Sequence, residues 1–454
     1  MRPLILLFLI SCGRIAFDPR DDAGAGNGDG GSQSGSRLKI VWNEFPDGTR
    51  TVLGTYDSLR QEACTLGYDE DTTRCVPAAM DLVFGDASCT QQVGRVYDLC
   101  SDAKYIAGQG GFFVRGAQLA QTSFYADDGG GCAGPYTGEV YALGAEVPIG
   151  EFAAVTRVRE PTSNRLARRF YESDATDDDF RIETTTQDTL LSATCSPGET
   201  AAGRACVPND RGFAVYYEDP ACTVNQIASP APPPRFAVYD DPAGCPLSSF
   251  HYYSVTVENT TGNNYYAAGG SCLMVPVPMG SKMWSLGAEL QLAPLTQRIE
   301  TVAGRRLQHV RYQDGATEID NQQIQLYDTT LDTMCTVNRA SDGVKRCVPD
   351  AALSIATYYA DAGCTTAIEL ALDDQYDTCA VVPDRYGYKV TFNGSCDTRS
   401  ERYDLGAVYT GTVYQMLGTC TPRTVAAGIT PVYYQVGPQV PPTTFAPATA
   451  VTDP

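Results

Sequence analysis

Cysteines are the residues of this sequence whose number and spacing most clearly indicate chemistry. The chain of 454 residues contains 17 cysteines but only two histidines. Cys12 ends the apolar stretch MRPLILLFLISC, and the other cysteines divide into groups of five, five and six along the body. No two are as close as the Cys-x₂₋₄-Cys pairs of structural zinc sites, whereas exported proteins commonly pair their cysteines. We therefore expect disulfides, no metal site and no cofactor.

The cysteine spacing suggests a pairing but does not fix it, because six cysteines alone allow 15 connectivities. Short intervals between consecutive cysteines favour bonds between neighbours in sequence. The bonds predicted on this basis are Cys64–Cys75, Cys89–Cys100, Cys195–Cys206, Cys222–Cys245, Cys335–Cys347, Cys364–Cys379 and Cys396–Cys420. Cys132 and Cys272 then have no local partner, so we expect them to bond across repeats or to remain free thiols.

The acid–base residues give no clear catalytic pattern. His251 and His309 lie outside any nucleophile motif, and we expect them at strand surfaces. Neighbouring aspartates, such as Asp127-Asp128 and Asp373-Asp374, could serve a polysaccharide hydrolase only if two carboxyls faced each other across a sugar. Adjacent aspartates in turns are normally solvated, so we assign no catalytic residue.

Tyrosines are a better candidate for recognition, since 27 are present and some recur at matching positions. Tyr216-Tyr217 and Tyr358-Tyr359 stand in the related phrases YYEDPACT and YYADAGCT. A flat apolar ring with a polar tip suits contact with sugars or proteins. The alternative is that these are ordinary strand residues at the wet edge of a core.

These residues belong to three internal repeats that share landmarks in one order. Each repeat opens with Arg-Leu (Arg37, Arg165, Arg306), contains Cys-Val-Pro (Cys75, Cys206, Cys347) and closes with Leu-Gly-Ala in YALGAEV, WSLGAEL or YDLGAVY. The predicted boundaries are 37–160, 164–302 and 305–422, with residues 423–454 as a C-terminal extension that is loose at its Pro/Thr-rich end.

Within the repeats, short runs rich in Tyr, Val, Thr and Phe alternate with Gly, Asp, Asn or Pro clusters. No stretch keeps a helical apolar period for more than about two turns. The pattern predicts an all-β protein built from short antiparallel strands. A six-bladed propeller-like ring is slightly favoured over three sequential β modules, each with its own core.

The N-terminal residues resemble a signal peptide for export. A basic residue, Arg2, followed by the apolar run Leu4–Ile10 is typical of a signal peptide. The apolar run is too short to span a bilayer. Leu9-Ile10-Ser11-Cys12 resembles a bacterial lipobox, which implies removal of residues 1–11 and acylation of Cys12. Residues 12–36, rich in Gly, Asp and Ser, predict a flexible linker behind that anchor.

The repeat phrases resemble tandem modules in lipoproteins of myxobacteria and their relatives, a group for which the resemblance implies no activity. It implies an exported, anchored repeat protein and no catalytic residues. We expect the anchor to lie in the outer membrane, with the protein on its periplasmic face or at the cell surface. The net charge of −21 argues against nucleic acid as a partner. We expect binding or scaffolding with a protein or carbohydrate ligand; the alternative is a hydrolase that acts on polysaccharide through Asp and Glu carboxylates.

Overall fold

The computed structural model describes most of the chain after residue 30. The described residues are 31–454 without 68–72, 97–102, 109–110, 128–130, 161, 163, 241–249, 261–263, 269–270, 279, 316–317, 320–324, 352, 377–384, 393–396 and 424–428. These residues form strands and two short 3₁₀ turns, with no α-helix, so the predicted all-β class is confirmed. Among them, no helix is long and apolar enough to cross a membrane.

The strands are numbered in chain order. They are β1 (Leu38–Glu44), β2 (Arg50–Asp57), β3 (Glu62–Leu66), β4 (Cys75–Pro77), β5 (Ala79–Phe84), β6 (Gln92–Arg95), β7 (Tyr105–Gly108), β8 (Gly111–Gln118), β9 (Ser123–Asp127), β10 (Cys132–Thr137), β11 (Val140–Val147), β12 (Val155–Arg159), β13 (Leu166–Ser173), β14 (Arg181–Asp188), β15 (Ala193–Thr200), β16 (Gly203–Pro208), β17 (Arg211–Phe213), β18 (Tyr216–Tyr217), β19 (Asn225–Ser229), β20 (Phe236–Asp240), β21 (Phe250–Glu258), β22 (Tyr265–Ala268), β23 (Ser271–Met274), β24 (Lys282–Glu289), β25 (Ala293–Pro294), β26 (Thr296–Glu300), β27 (Leu307–Gln313), β28 (Glu318–Ile319), β29 (Leu326–Asp328), β30 (Thr333–Arg339), β31 (Lys345–Pro349), β32 (Leu353–Tyr359), β33 (Ala367–Tyr376), β34 (Tyr386–Phe392), β35 (Thr398–Val408), β36 (Tyr414–Leu417), β37 (Thr419–Pro422), β38 (Ile429–Gln439) and β39 (Thr449–Thr452). The 3₁₀ turns are Ile149–Glu151 and Pro442–Thr444.

Each repeat begins with an antiparallel meander. We call these sheets 1, 2 and 3: sheet 1 has the order β39-β1-β2-β3-β4, sheet 2 the order β12-β13-β14-β15-β16-β25, and sheet 3 the order β26-β27-β29-β30-β31 with β28 beside β27. The first strand of every order comes from another repeat: β12 from the first, β26 from the second and β39 from the third. The last strand of the chain therefore completes the sheet that the first strand begins.

The three sheets contact one another in a cycle. One hydrophobic cluster joins sheets 1 and 2 (Leu38, Ile40 and Trp42 with Phe180 and Ile182), a second joins sheets 2 and 3 (Leu166 with Val310, Tyr312 and Ile319), and a third joins sheet 3 to the end of β1 (Leu307 and Leu326 with Phe45). Because sheet 3 is covered on both faces, six of the seven residues of β27 are buried.

The second half of each repeat forms a further sheet that we call a barrel; the first and third close on themselves, whereas no strand pairing among the described residues closes the second. Barrel 1 comprises β5–β11, barrel 2 comprises β17–β24 and barrel 3 comprises β32–β38. In barrel 1 the path β5-β6-β11-β8-β7 returns to β5 through parallel pairing of β5 with β7, and parallel pairing of β32 with β34 closes barrel 3 in the same way. A hairpin (β9-β10, β22-β23 or β36-β37) extends each barrel.

The predicted six-bladed ring is not observed. The second halves of the repeats form the barrels, and the cycle of contacts joins only the three open sheets. The alternative of three sequential modules with separate cores is also not observed, because β12, β26 and β39 each cross into another repeat's sheet.

The third repeat also extends further than predicted. Gly116 on β8 and Gly144 on β11 pass so closely that a Cβ on either would lie 2.7 Å from a backbone oxygen of the other strand. In barrel 3 the matching glycines are Gly406 on β35 and Gly437 on β38. The Leu-Gly-Ala of YDLGAVY therefore lies on the counterpart of β8. Residues 429–439 and 449–452 of the predicted extension are strands of barrel 3 and sheet 1.

The last residues of the predicted linker are held by sheet 2. The Gln33 backbone N–H donates to the Arg181 carbonyl at 2.6 Å, and the Arg181 N–H donates back at 2.8 Å. The Glu183 N–H donates to Ser32 Oγ at 3.1 Å. Flexibility is therefore not observed for residues 31–36, while the predicted signal peptide and residues 12–30 lie outside the described residues.

Candidate functional site

Disulfides of two kinds fix the repeats. Those of the meanders, Cys64–Cys75, Cys195–Cys206 and Cys335–Cys347, join adjacent antiparallel strands, and all three were predicted from sequence. Their sequence separations are 11, 11 and 12 residues. Neighbour pairing works here because the two cysteines stand on the arms of one hairpin.

The disulfides of the barrels contradict the predicted pairing. Cys89 bonds Cys132, Cys222 bonds Cys272 and Cys364 bonds Cys420, so the predicted partners Cys100, Cys245, Cys379 and Cys396 are wrong for these cysteines. Cys132 and Cys272 are neither free nor bonded across repeats. The physical reason is that the hairpin folds back over the loop that follows the first barrel strand. Cys12, Cys100, Cys245, Cys379 and Cys396 lie outside the described residues.

An aspartate organises each loop that carries a barrel cysteine. Asp86 accepts hydrogen bonds from the backbone N–H groups of Ser88, Thr90 and Gln91 at 2.7 to 3.0 Å. Asp219 and Asp361 do the same in barrels 2 and 3. Hydrogen bonds from backbone N–H groups lower the pKa of all three carboxyls, that of Asp361 to about 2. These carboxylates stabilise the loop and are committed to it.

A pair of aromatic residues recurs where each hairpin joins its barrel. Phe84 lies opposite Tyr125 in barrel 1, Tyr217 opposite Tyr265 in barrel 2, and Tyr359 opposite Tyr414 in barrel 3. All six side chains are half-buried. We call these three pairs the joint aromatics. Tyr217 and Tyr359 were singled out by their matched spacing, whereas their partners are identified only by the strand register.

The buried residues beside the joint aromatics differ from copy to copy. The residue before the hairpin tyrosine is Phe124, Asn264 or Val413, each of them buried. In barrel 2 this position belongs to a polar network: Gln226 Nε2 donates to the Tyr217 carbonyl at 2.8 Å, and Asn264 Nδ2 donates to the Pro276 carbonyl at 3.2 Å. The core therefore accepts an aromatic, an amide or an aliphatic residue here, while the half-exposed position next to it stays aromatic.

Arginine–aspartate pairs hold the start of each sheet. Arg37, Arg165 and Arg306 bind Asp57, Asp188 and Asp328 through two guanidinium nitrogens, with closest distances of 2.6 to 2.7 Å. The aspartate side chains are at most 1% exposed. Each arginine also donates to a carbonyl just before a crossing strand, at Glu151, Gln291 or Thr444. The repeated Arg-Leu signal was visible in the sequence, but its aspartate partner was not recognised.

Three clefts lined by described residues do not bring carboxylates together. One of about 480 Å³ lies between sheets 1 and 2, and its described lining includes Val52, Tyr171 and Thr185 with a single carboxylate, Glu183. A cleft of about 540 Å³ and one of about 440 Å³ are lined by the single carboxylates of Glu151 and Asp314. None of the three has the two facing carboxyls that glycoside hydrolysis uses.

The two histidines occupy different environments. His251 is half-exposed on barrel 2, as predicted, with its Nδ1 2.7 Å from Glu289 Oε1. Within the described part of the chain, no hydroxyl or thiol is hydrogen-bonded to His251. His309 is only 4% exposed, so its predicted surface position is wrong: β27 is covered on both faces. Burial, with the charge of Arg311, lowers the pKa of His309 to about 4.

Metal binding has no geometric basis in the described residues, where no three His, Cys, Asp or Glu side chains are grouped so that they could hold an ion. Comparison with curated proteins and with solved structures gives no match. A family model, described as a family of unknown function (DUF7481), matches residues 18–445. That range includes all three meanders and all three barrels, so the chain belongs to the DUF7481 family of unknown function.

Proposed function

We propose that this chain is an exported bacterial lipoprotein, anchored through Cys12 to the outer membrane, and that it serves as a trivalent binding or scaffolding protein. Six disulfides among the described residues are consistent with an oxidising environment, because cytosolic thiols are kept reduced. The sequence Leu9-Ile10-Ser11-Cys12 supplies the anchor in this proposal.

The observation that carries the binding role is the recurrence of the joint aromatics. A cross-strand aromatic pair contributes about 0.2 to 1 kcal/mol to a sheet, and residues of other types can contribute as much. Sheet stability therefore gives no reason to keep an aromatic pair in all three barrels when the buried neighbours change class. Half-exposed rings with polar tips are suited to a flat ligand face, such as the C–H face of a sugar ring.

Three such surfaces on one body favour a ligand that repeats. Linking modest sites raises overall affinity by factors of about 10² to 10⁴ when geometry allows them to bind together. A neutral polysaccharide fits this best, because the net charge of −21 disfavours polyanions. A surface protein that displays several copies of one epitope is the second ligand of this kind.

Affinity electrophoresis in gels that contain neutral polysaccharides tests the binding role. We expect retardation by at least one polymer, with successive loss when Tyr265→Ala, Tyr414→Ala and Tyr125→Ala are combined. Phe392→Ser is the matched control, because Phe392 is 76% exposed on barrel 3 but lies outside the joint aromatics. Unchanged retardation of the triple variant would show that these rings do not bind the polymer.

The anchor is tested separately by metabolic labelling with palmitate. The wild-type chain should incorporate label, and Cys12→Ser should not. Absence of label from the wild-type chain, expressed in a bacterium that acylates a control lipoprotein, would refute the proposed anchoring and leave the binding test unaffected.

A further inference from the structure

Sheet 2 carries a group of arginines that no carboxylate among the described residues neutralises. Arg159 on β12 lies directly opposite Arg169 on β13, and Arg157 lies opposite Tyr171. The Arg157 Nε donates to the Tyr171 hydroxyl at 2.9 Å. Within the described residues, neither Arg159 nor Arg169 has an ion pair or a hydrogen bond to a carboxylate. Like charges directly opposite each other destabilise a sheet, so this arrangement costs stability in the free protein.

The opposite face of the same sheet is balanced. There, Arg168 lies 3.2 Å from Glu160 and Arg181 lies 3.4 Å from Glu172. Since successive side chains of a strand point to opposite faces, sheet 2 has matched charges on one face and only positive charges at Arg157, Arg159 and Arg169 on the other. The lower pKa of Arg169, caused by burial and by the charges of Arg157 and Arg159, agrees with this unbalanced field.

The other two sheets show that the fold does not need these arginines. The position of the Arg159–Arg169 pair is occupied by Ile299–Val310 in sheet 3 and by Thr452–Val41 in sheet 1. The position of Arg157 is occupied by Gln297 and Ala450. Two of the three copies therefore have uncharged residues at these positions, and the arginines are specific to sheet 2.

We propose that Arg157, Arg159 and Arg169 form a docking surface for the phosphate groups of anionic phospholipids. The inference rests on the proposed anchoring, because the membrane involved is the one that would hold Cys12. Guanidinium groups bind phosphate oxygens in a bidentate manner, and each basic residue near an anionic surface strengthens binding about fivefold.

The path of the chain brings this surface to the membrane. Ser32, at the beginning of the described chain, lines the same cleft as Tyr171, the partner of Arg157. Residues 13–31 separate Cys12 from Ser32, and a chain of that length can span at most about 60 Å. The body as a whole is strongly acidic and is repelled by anionic lipid. A local positive surface beside the linker would therefore select one orientation.

Vesicle binding by a chain without the acyl group tests this inference. The chain from Gly13 onward, exported behind a cleavable signal, contains every described strand and disulfide. It is sedimented with vesicles of phosphatidylcholine alone or of phosphatidylcholine with 30% phosphatidylglycerol. We expect at least tenfold tighter binding to the anionic vesicles, which R157Q/R159I/R169V abolishes by installing the residues of sheet 3. The control R298Q removes one exposed arginine from the edge strand of sheet 3 and should bind like wild type.

The outcomes separate the possible sources of the anion. Equal binding to both vesicles, or equal loss in the triple variant and the control, overturns the proposal. Binding of free glycerol phosphate by the wild type but not by the triple variant, together with equal binding of the wild type to both vesicles, would assign the site to a free phosphate ester instead. Because no acyl group is involved, failure here leaves the palmitate test of Cys12 intact.

An acidic segment of the chain itself is the remaining competitor. A Cβ on Gly67 would lie 3.1 Å from the Tyr171 hydroxyl, and the chain continues from Gly67 through Asp69, Glu70 and Asp71, which lie outside the described residues. If the triple variant lowers the melting temperature, and this loss disappears when the three acids are replaced by amides, the arginines serve that segment and the lipid proposal is overturned. Unchanged or raised stability, together with tighter vesicle binding by the amide variant, supports it.

Discussion

Acidification should destabilise the protein through His309. This side chain is buried in sheet 3, and its Nδ1 has no hydrogen-bond partner among the described residues. Its pKa is lowered from 6.5 to about 4 in the folded state, so the unfolded chain binds the proton first as the pH falls. The contribution of the neutral imidazole is fully present above pH 6.5 and is lost as the pH falls towards 4.

The magnitude follows from these two pKa values. Linkage gives a loss of about 2 kcal/mol of unfolding free energy at pH 5 and about 3 kcal/mol at pH 4, relative to pH 7.5. Other groups also titrate in this range, so the contribution of His309 is obtained by difference. His309→Ile is the suitable reference, because the equivalent position of sheet 1 is Ile40, which is fully buried.

The assay is guanidinium chloride unfolding of the oxidised wild type and of His309→Ile at pH 7.5, 6, 5 and 4. The difference in unfolding free energy between the two proteins should change by about 3 kcal/mol from pH 7.5 to pH 4 in favour of the variant. Parallel pH profiles would refute the reasoning, because they would show that His309 has the same pKa in both states. Hydrogen exchange at β27 gives a local check of the same quantity.

Three further predictions concern the supports of the fold. Asp328→Asn leaves Arg306 facing a neutral amide in a buried site, so the unfolding free energy should fall by about 3 kcal/mol. The control Arg50→Gln, at a half-exposed ion pair, should cost less than about 1 kcal/mol, and a similarly small loss for Asp328→Asn would show that the buried pair adds little. Replacing both cysteines of the Cys364–Cys420 bond by serine should lower the unfolding free energy by about 4 kcal/mol, because this bond closes a loop of 56 residues. The same change at Cys335–Cys347, which closes a loop of 12, should cost about 3 kcal/mol. Equal losses would contradict the loop-entropy argument. Deletion of residues 446–454 removes β39, so it should lower the melting temperature and increase hydrogen exchange at the β1 amides. Unchanged protection of β1 would show that the three sheets do not fold cooperatively.

Local features of the fold could be predicted from the sequence, and long-range ones could not. Cys64 and Cys75 pair as expected because a hairpin brings them together over 11 residues. Cys89 and Cys132 are 43 residues apart, and only the return of β9 to β5 makes them neighbours. Sequence spacing reports the first kind of proximity, whereas the second depends on barrel closure.

The repeat boundaries failed for a related reason. Leu-Gly-Ala was used as a closing landmark, but in barrels 1 and 3 two strands cross closely and both have glycine at the crossing. In the third repeat the phrase therefore marked β35, and the actual closing strand carries Gly437 within YQVGPQ. A glycine that a close strand crossing requires therefore shows that a strand lies at such a crossing, but not which of the two crossing strands it belongs to.

The candidate site was accessible from sequence only in part. Tyr217 and Tyr359 stood out by their matched spacing, but Tyr265 and Tyr414 required the strand register. The arginines of sheet 2 gave no signal at all, because unpaired charge is a property of the packed faces. His309 looked like a surface residue because β27, LQHVRYQ, is rich in polar side chains, although six of its seven residues are buried.

The pairing of β39 with β1 brings the two ends of the described chain together in sheet 1. Ser34 Oγ, near the first described residue, donates to Asp453 Oδ2 at 2.8 Å, so the two ends of the body already meet. Because synthesis proceeds from the N-terminus, sheet 1 stays incomplete until β39 has been made. A truncated product therefore carries an open strand edge that proteases and chaperones can recognise, and a circular permutant opened between repeats would retain all three sheets.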